Sequence, residues 1–279
     1  MRIAVASGKG GTGKTTVSVN LARVYDHAVV LADCDVEEPN AHLFLKTQNL
    51  TTEEVFLPVP LVDEKLCNFC GECGRFCRFS AIITFGTEPL VFPQMCHACG
   101  GCMLVCPTKA ISEQNWRIGA IEVSHAEKIT LVTGKLDVGV AMAPPLVKEV
   151  KKRLNPGIPA ILDAPPGTSC PVIAAIGDAD MVLLVTEPTP FGLHDLTLAV
   201  DTVRKLSLPF GVIVNRMGCG DGRVHKYCAK EGIDILLEIP DDRRIAENYS
   251  RGILMVDALP AYRQLFSQLI ERLSFGGRS

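Results

Sequence analysis

The chain has 279 residues, 47% hydrophobic and 21% charged, enough apolar material for a sizeable core and unlike a disordered segment. Its net charge of −3 and its 6% aromatic content, with a single Trp, exclude the basic, base-stacking surface of a nucleic-acid binder. Met1-Arg2 leads directly into a short apolar run and then glycines, so no leader segment is expected. No apolar stretch approaches the ~20 residues that span a bilayer. The expectation is a cytoplasmic protein whose twelve cysteines are mostly metal ligands and not disulfides.

In chain order, residues 3–6 read as a buried strand, 15–25 as a helix through Val17, Leu21 and Val24, and 28–32 as a second buried strand. The alternation resumes near Lys128. Strands are predicted over 129–132, 160–162, 181–185, 210–214 and 235–239, with helices over 146–154, 193–206 and 223–231. Short apolar strands alternating with helices imply a doubly wound, mostly parallel α/β sheet covered on both faces. Tyr262, Leu265, Phe266, Leu269, Ile270 and Leu273 share one apolar face, predicting a docked terminal helix in preference to a membrane-surface one.

Between the two parts the sheet pattern stops. From Pro58 to Ile121 the chain is dense in Cys, Gly and Pro, so 58–121 is predicted as an insertion into one α/β domain formed by 1–57 and 122–279. This segment holds the internal repeat of the chain. CNFCGECGRFCRFSAI at 67–82 aligns with CHACGGCMLVCPTKAI at 96–111.

Residues 8–15 read GKGGTGKT, matching G-x-x-x-x-G-K-[ST] between a predicted strand and a predicted helix. Gly8, Gly10, Gly11 and Gly13, with Thr12 between them, let backbone N–H groups face one anion, and the helix N-terminus adds unpaired donors. Lys14 is expected at the β- and γ-phosphates of ATP, Thr15 on Mg2+, and Thr16 at the α-phosphate.

Lys9, directly after the first glycine, makes this loop resemble the deviant Walker A loop of the MinD/Mrp/ParA and nitrogenase iron protein group. The resemblance implies that Lys9 crosses a dimer interface to the partner's phosphates, so a nucleotide-dependent homodimer is expected. Asp33-Cys34-Asp35 resembles that family's switch I, which implies Asp35 orienting the attacking water and Asp33 near the Mg2+ shell. Asp163 ends an apolar strand as a Walker B aspartate does, and Gly167 is a switch II candidate for the γ-phosphate. Asn215-Arg216 lies where the family contacts adenine, although the dipeptide also suits a turn. The resemblance spans roughly 1–50 and 125–275, and is nearer still to MinD-superfamily ATPases with an inserted ferredoxin domain.

Each half-repeat is C-x-x-C-x-x-C-x-x-x-C, the bacterial ferredoxin run, in which the fourth cysteine serves the other cluster. One 4Fe–4S cluster would then use Cys67, Cys70, Cys73 and Cys106, and the second Cys96, Cys99, Cys102 and Cys77. Closely spaced cysteines also make zinc sites; two matched runs and the Cys106-Pro107 ending favour iron–sulfur. Cys77 is followed by Arg78, which departs from the motif without removing a ligand. Cys34 and Cys170 are expected in the core. Cys219 and Cys228 lie nine apart, so the C-x-x-C of some Mrp-like relatives is absent.

The resulting expectation is an ATP-hydrolysing iron–sulfur protein that couples nucleotide state to electron transfer or to iron–sulfur or metal-cofactor maturation, with an unidentified redox or metal-cofactor protein as partner. The alternative is a MinD-like positioning ATPase with structural or redox-sensing clusters.

Overall fold

The computed structural model describes residues 1–85 and 88–276. The strands are β1 (Arg2–Ala6), β2 (Val29–Asp33), β3 (Gln48–Val62), β4 (Ile82–Thr84), β5 (Pro89–Val91), β6 (Ile111–Ala126), β7 (Ile129–Leu136), β8 (Ala160–Asp163), β9 (Met181–Thr186), β10 (Phe210–Met217) and β11 (Ile235–Pro240). The helices are α1 (Lys14–Val24), α2 (Glu72–Phe76), α3 (Gly101–Leu104), α4 (Ala143–Lys152), α5 (Cys170–Ile176), α6 (Pro190–Lys205), α7 (Arg223–Glu231), α8 (Arg243–Tyr249), α9 (Met255–Ala258) and α10 (Pro260–Gly276).

Nine strands form one sheet in the order β11-β10-β9-β1-β8-β2-β7-β6-β3, parallel from β11 to β7 and antiparallel at β6 and β3. The side-chain period of two sends alternate residues to opposite faces. Ile3 and Val5 join Val17 and Leu21 of α1 and Phe266 of α10 on one face. Ala4 and Ala6 join Leu146 of α4, Val172 of α5 and Val200 of α6 on the other. Burial on both faces explains the continuous apolar runs of the parallel strands.

The predicted terminal helix docks as expected, with Tyr262, Phe266, Leu269 and Leu273 all buried. Phe266 is 0% exposed. Phe266→Ala should therefore lower the free energy of unfolding by about 3–5 kcal/mol, measured by chemical denaturation.

The sequence reading did not foresee β3 and β6. They pair antiparallel from Gln48↔His125 to Val62↔Ile111, with breaks in register between Gln48 and Thr51 and between Val55 and Phe56. Positions 58 and 121 lie inside these strands, which pass unbroken from the main sheet toward the cysteine-rich segment. Pro58 and Pro60 are tolerated because β3 is an edge strand, where a missing N–H costs no ladder bond and discourages further pairing.

The ribbon positions what it carries. β6 pairs with β7 only from Gly119↔Leu136 onward. Phe56–Val62 opposite 111–117 therefore continue past the C-terminal end of β7. Seven residues at about 3.4 Å each carry the chain about 24 Å beyond that end. It is the same end of the parallel strands from which the loop after β1 emerges.

Candidate functional site

The loop between β1 and α1 wraps the first turn of α1, with Gly11 at φ 80° and Gly13 at φ 96°. At Gly13 a side chain is excluded twice, since the left-handed backbone disfavours a Cβ and that Cβ would fall 2.4 Å from Asn215 Nδ2. Asn215 Nδ2 donates to the Thr12 carbonyl at 2.8 Å, so Asn215 braces the loop as well as lining the cavity. Gly8 leaves room for the Asp195 carbonyl, which a Cβ would meet at 2.1 Å.

In front of the loop lies a cavity of about 450 Å³. Gly10, Gly11, Gly13, Lys14, Thr15 and Thr16 form its floor, and Asp35 and Asn215 stand on its walls. The far wall carries Pro240, Asp241, Asp242, Ile245 and Tyr249, from the end of β11 and from α8. Sequence reading missed this wall; its only signal is the Pro-Asp-Asp run after the last predicted strand.

Lys14 is buried, and burial lowers its pKa against the opposing pull of Asp163 and Asp35. Asp163 is 1% exposed. Ser18 Oγ donates to its Oδ1 at 2.9 Å. Its Oδ2 is buried without a hydrogen-bond partner among the described residues. Burial pushes the Asp163 carboxyl up, and the Thr15 and Ser18 hydroxyls and then the Lys14 ammonium pull it back. A buried carboxylate oxygen that no hydrogen bond claims fits a hard cation such as Mg2+.

Asp33 sits opposite Asp163 across the β2–β8 pair and is 0% exposed. Its oxygens accept the backbone N–H groups of Asp35 at 3.2 Å and of Asn40 and Ala41 at 3.0 Å. Burial and then the Asp163 charge push its carboxyl well above the ordinary carboxylate range. This geometry makes Asp33 the brace of the 35–41 loop, where the sequence suggested a place near the Mg2+ shell. Asp35 lines the cavity, and burial, opposed by Lys14, raises its pKa to about 6.

Gly167, at φ 93°, donates its N–H to the Ser7 carbonyl at 3.0 Å, so any use on a phosphate requires that bond to open. Lys9 turns away from the floor of the cavity, with Nζ 3.9 Å from Glu187 Oε2. Glu187 also meets Arg216 Nη1 at 2.9 Å. Sequence reading missed Glu187 as a partner, because 178 residues separate it from Lys9.

The cysteine-rich segment repeats in three dimensions what it repeats in sequence. Phe69, Gly71 and Ser80 adopt positive φ, as do their counterparts Ala98, Gly100 and Lys109. Ala81 N–H donates to Cys77 Sγ at 3.3 Å, and Ala110 N–H to Cys106 Sγ at 3.3 Å. Burial acts to raise both thiols. Backbone donors outweigh it at Cys77, and the Thr108 hydroxyl with backbone donors outweighs it at Cys106, so both pKa values fall below the ordinary thiol value.

Two cavities open among these residues. Cys77, Cys96, Cys99 and Cys102 line one of about 280 Å³, beside the stacked rings of Phe79 and His97. Cys67, Cys70, Cys73 and Cys106 line the other, which is pinched to about 20 Å³. Burial raises the Cys96 thiol, and the neighbouring Cys99 and Cys77 raise it further; burial, Cys67 and Cys70 do the same for Cys73. Each fourth cysteine thus faces the cavity of the other run. Among the described residues no three His, Cys, Asp or Glu side chains converge as a single metal ion would require.

Of the remaining cysteines, Cys34 and Cys228 are buried. Cys170, expected in the core, is exposed because it occupies the first position of α5, and Cys219 is exposed as well. Among the described residues no helix is long and apolar enough to cross a membrane.

A parallel sheet with a glycine loop between its first strand and first helix, a buried lysine and facing carboxylates defines a P-loop nucleotide-binding protein. The chain belongs to the CobQ/CobB/MinD/ParA nucleotide binding domain family, which matches residues 3–255. It is a P-loop ATPase of the MinD/ParA type. An uncharacterized protein of Methanocaldococcus jannaschii is 34% identical over 90% of each chain. An iron-sulfur cluster carrier protein of Pyrococcus horikoshii is 27% identical over 98% of this chain and 86% of its own. The fold matches the cell division ATPase MinD of Pyrococcus furiosus, with a TM-score of 0.61 at 22% identity over 98% of both chains. It also matches the septum site-determining protein MinD complexed with Mg-ADP from Pyrococcus horikoshii, with a TM-score of 0.59 at 23% identity over 98% of this chain and 95% of that one.

Proposed function

We propose that this ATPase carries two 4Fe–4S clusters in a ferredoxin-like insert and uses its nucleotide state to control electron transfer through them. The single observation that carries this reading is the crossed arrangement of four thiols around each of two cavities on the ribbon. Four thiols lining one space offer the donor set of a cluster that would deprotonate them on binding, and backbone N–H groups aimed at Sγ atoms suit a sulfur-rich group. Cys96, Cys99, Cys102 and Cys77 would hold one cluster. Cys67, Cys70, Cys73 and Cys106, around the smaller cavity, would hold the other. When bound, such clusters supply one-electron redox chemistry.

At the nucleotide site, the loop N–H groups and Lys14 bind the β- and γ-phosphates of ATP, with Thr16 at the α-phosphate. Thr15 and Asp163 hold Mg2+, which offsets phosphate charge. Asp35 accepts a hydrogen bond from the attacking water and aligns it. Asn215 braces the loop, and Ile245 and Tyr249 give the base an apolar wall. Lys9, which pairs with Glu187 and does not line its own cavity, would exchange that carboxylate for a partner's phosphates once a second copy docks.

Asp35 must be ionised to act, and its raised pKa places the loss of that form near pH 6. Steady-state hydrolysis should fall as pH drops through about 6, and Asp35→Asn should remove that limb of the profile along with most of the activity.

The relatives named iron-sulfur cluster carrier protein favour cluster or metal-cofactor maturation as the use of this coupling. The likeness to cell division ATPases favours a positioning protein instead. Anaerobic reconstitution followed by turnover separates them. The proposed function requires ATP to change the rate at which the reduced protein passes electrons to a low-potential acceptor dye. Indifference of that rate to ATP, with both groups bound, would leave the positioning role.

A further inference from the structure

We infer that the occupancy of the phosphate cavity is relayed to the Cys77/Cys96 cavity along a short line of contacts running from Asp35 to Trp116. The relay rests on reading the 35–41 loop as the part that answers nucleotide, and it specifies how that answer leaves the site.

The line begins one residue beyond Asp35. Val36 is 2% exposed, and its carbonyl accepts the N–H of Leu136, the last residue of β7, at 2.8 Å. Val36 is seated hard on that strand, because a Cβ at Gly134 would fall 2.5 Å from Val36 Cγ1. The next residue of the chain, Asp137, donates its N–H to the Ile118 carbonyl at 2.9 Å.

Ile118 is the extra residue of a β-bulge. Val55 pairs with Gly119 and Phe56 with Arg117, so β6 advances two positions while β3 advances one. A bulge lets a ribbon change its bend without unzipping the pairs on either side. Here it lies at the base of the ribbon. Side chains reinforce the link, with Arg117 Nη2 at 3.5 Å from Asp137 Oδ1 and Arg117 Nε at 3.2 Å from Glu54 Oε1.

Trp116 stands just beyond the bulge. It packs against the main core and also against the small cluster formed by Val59, Ala81 and Cys96, with Cys77 beside it. Trp116 is only half-buried, but its ring touches both clusters at once, so a change in the bend of the ribbon alters its contacts with one relative to the other. A shift of Asp35 and Val36 toward phosphate therefore pulls on Leu136 and Asp137, bends the ribbon at Ile118, and moves Trp116 against two cluster cysteines.

Trp116 is the only tryptophan of the chain, so its emission reports on the relay in the full-length protein without a label. Mg2+ with a non-hydrolysable ATP analogue should shift that emission. Amide exchange at Asp137 and over 116–119 should change by at least about fivefold. Asp137→Pro, which removes the donated N–H, should abolish both responses. Asp137→Ala, which keeps it, should retain them, and nucleotide affinity by displacement of a fluorescent nucleotide should stay within about twofold in both variants. Bound nucleotide with silent Trp116 emission and unchanged exchange in the wild type would overturn the relay. So would an Asp137→Pro variant that responds like the wild type; should that variant not fold, exchange in the wild type decides. Failure of the fluorescent nucleotide to bind at all would instead sink the reading of the nucleotide site.

Discussion

Lys14→Ala should reduce ATP hydrolysis by about 10²–10³-fold, the usual scale for removing one preorganised charge from a reacting centre. The expectation follows from what surrounds the ammonium. Lys14 is buried at the floor of the cavity, and the charges that act on it are those of Asp163 and Asp35. Alanine leaves those carboxylates facing the incoming triphosphate with no side-chain cation between them, so binding weakens as well as chemistry. Lys9→Ala should also inactivate, for a separate reason that mixing reveals. If Lys9 serves the partner's phosphates, a mixed dimer of Lys9→Ala and Lys14→Ala contains one complete site. Mixing the two inactive variants should then restore activity. Acting within its own chain, Lys9 would give no recovery in the mixture.

Cys77→Ser should remove the cluster of the opposite run. Cys77 faces the cavity of Cys96, Cys99 and Cys102. The iron content of reconstituted protein should accordingly fall from about eight to about four per chain. The crossing makes a sharper demand on double variants. Cys77→Ser with Cys96→Ser strikes one cavity twice, and should keep the same four irons as Cys77→Ser alone. Cys77→Ser with Cys70→Ser strikes both cavities and should leave almost none. The reverse pattern would mean that each run feeds its own cluster.

The parts of this protein that were legible from residue order are those written locally. The strand over 3–6 lies in the middle of a two-faced sheet, so every residue of it is apolar. The glycine loop declares itself because the turn, the helix start and the lysine are neighbours. The cysteine runs carried their repeat, which the backbone reproduces in its positive-φ positions. What escaped was set by distant pairing. β3 begins as QNLTTEE, exposed and polar on the sheet edge, and its partner β6 lies some sixty residues away. Nothing nearby marks such a segment as a strand. The role of Asp33 was hidden for the same reason, since its carboxylate is claimed by the N–H groups of residues 40 and 41 after the chain curls back. Ile245 and Tyr249 form no motif, and the course of the chain after β11 alone brings them to the cavity.

The proposed coupling would run through the ribbon. Its base touches the strand against which Val36 rests, and its far part runs beyond the edge of the sheet that holds the phosphate loop. The decisive measurement is the electron paramagnetic resonance spectrum of anaerobically reconstituted, reduced protein, recorded with and without Mg2+ and a non-hydrolysable ATP analogue. Coupling requires the signals of two reduced 4Fe–4S clusters whose line shape or midpoint potential changes when the analogue binds. Superimposable spectra and potentials from protein shown to hold both clusters and the analogue would contradict it.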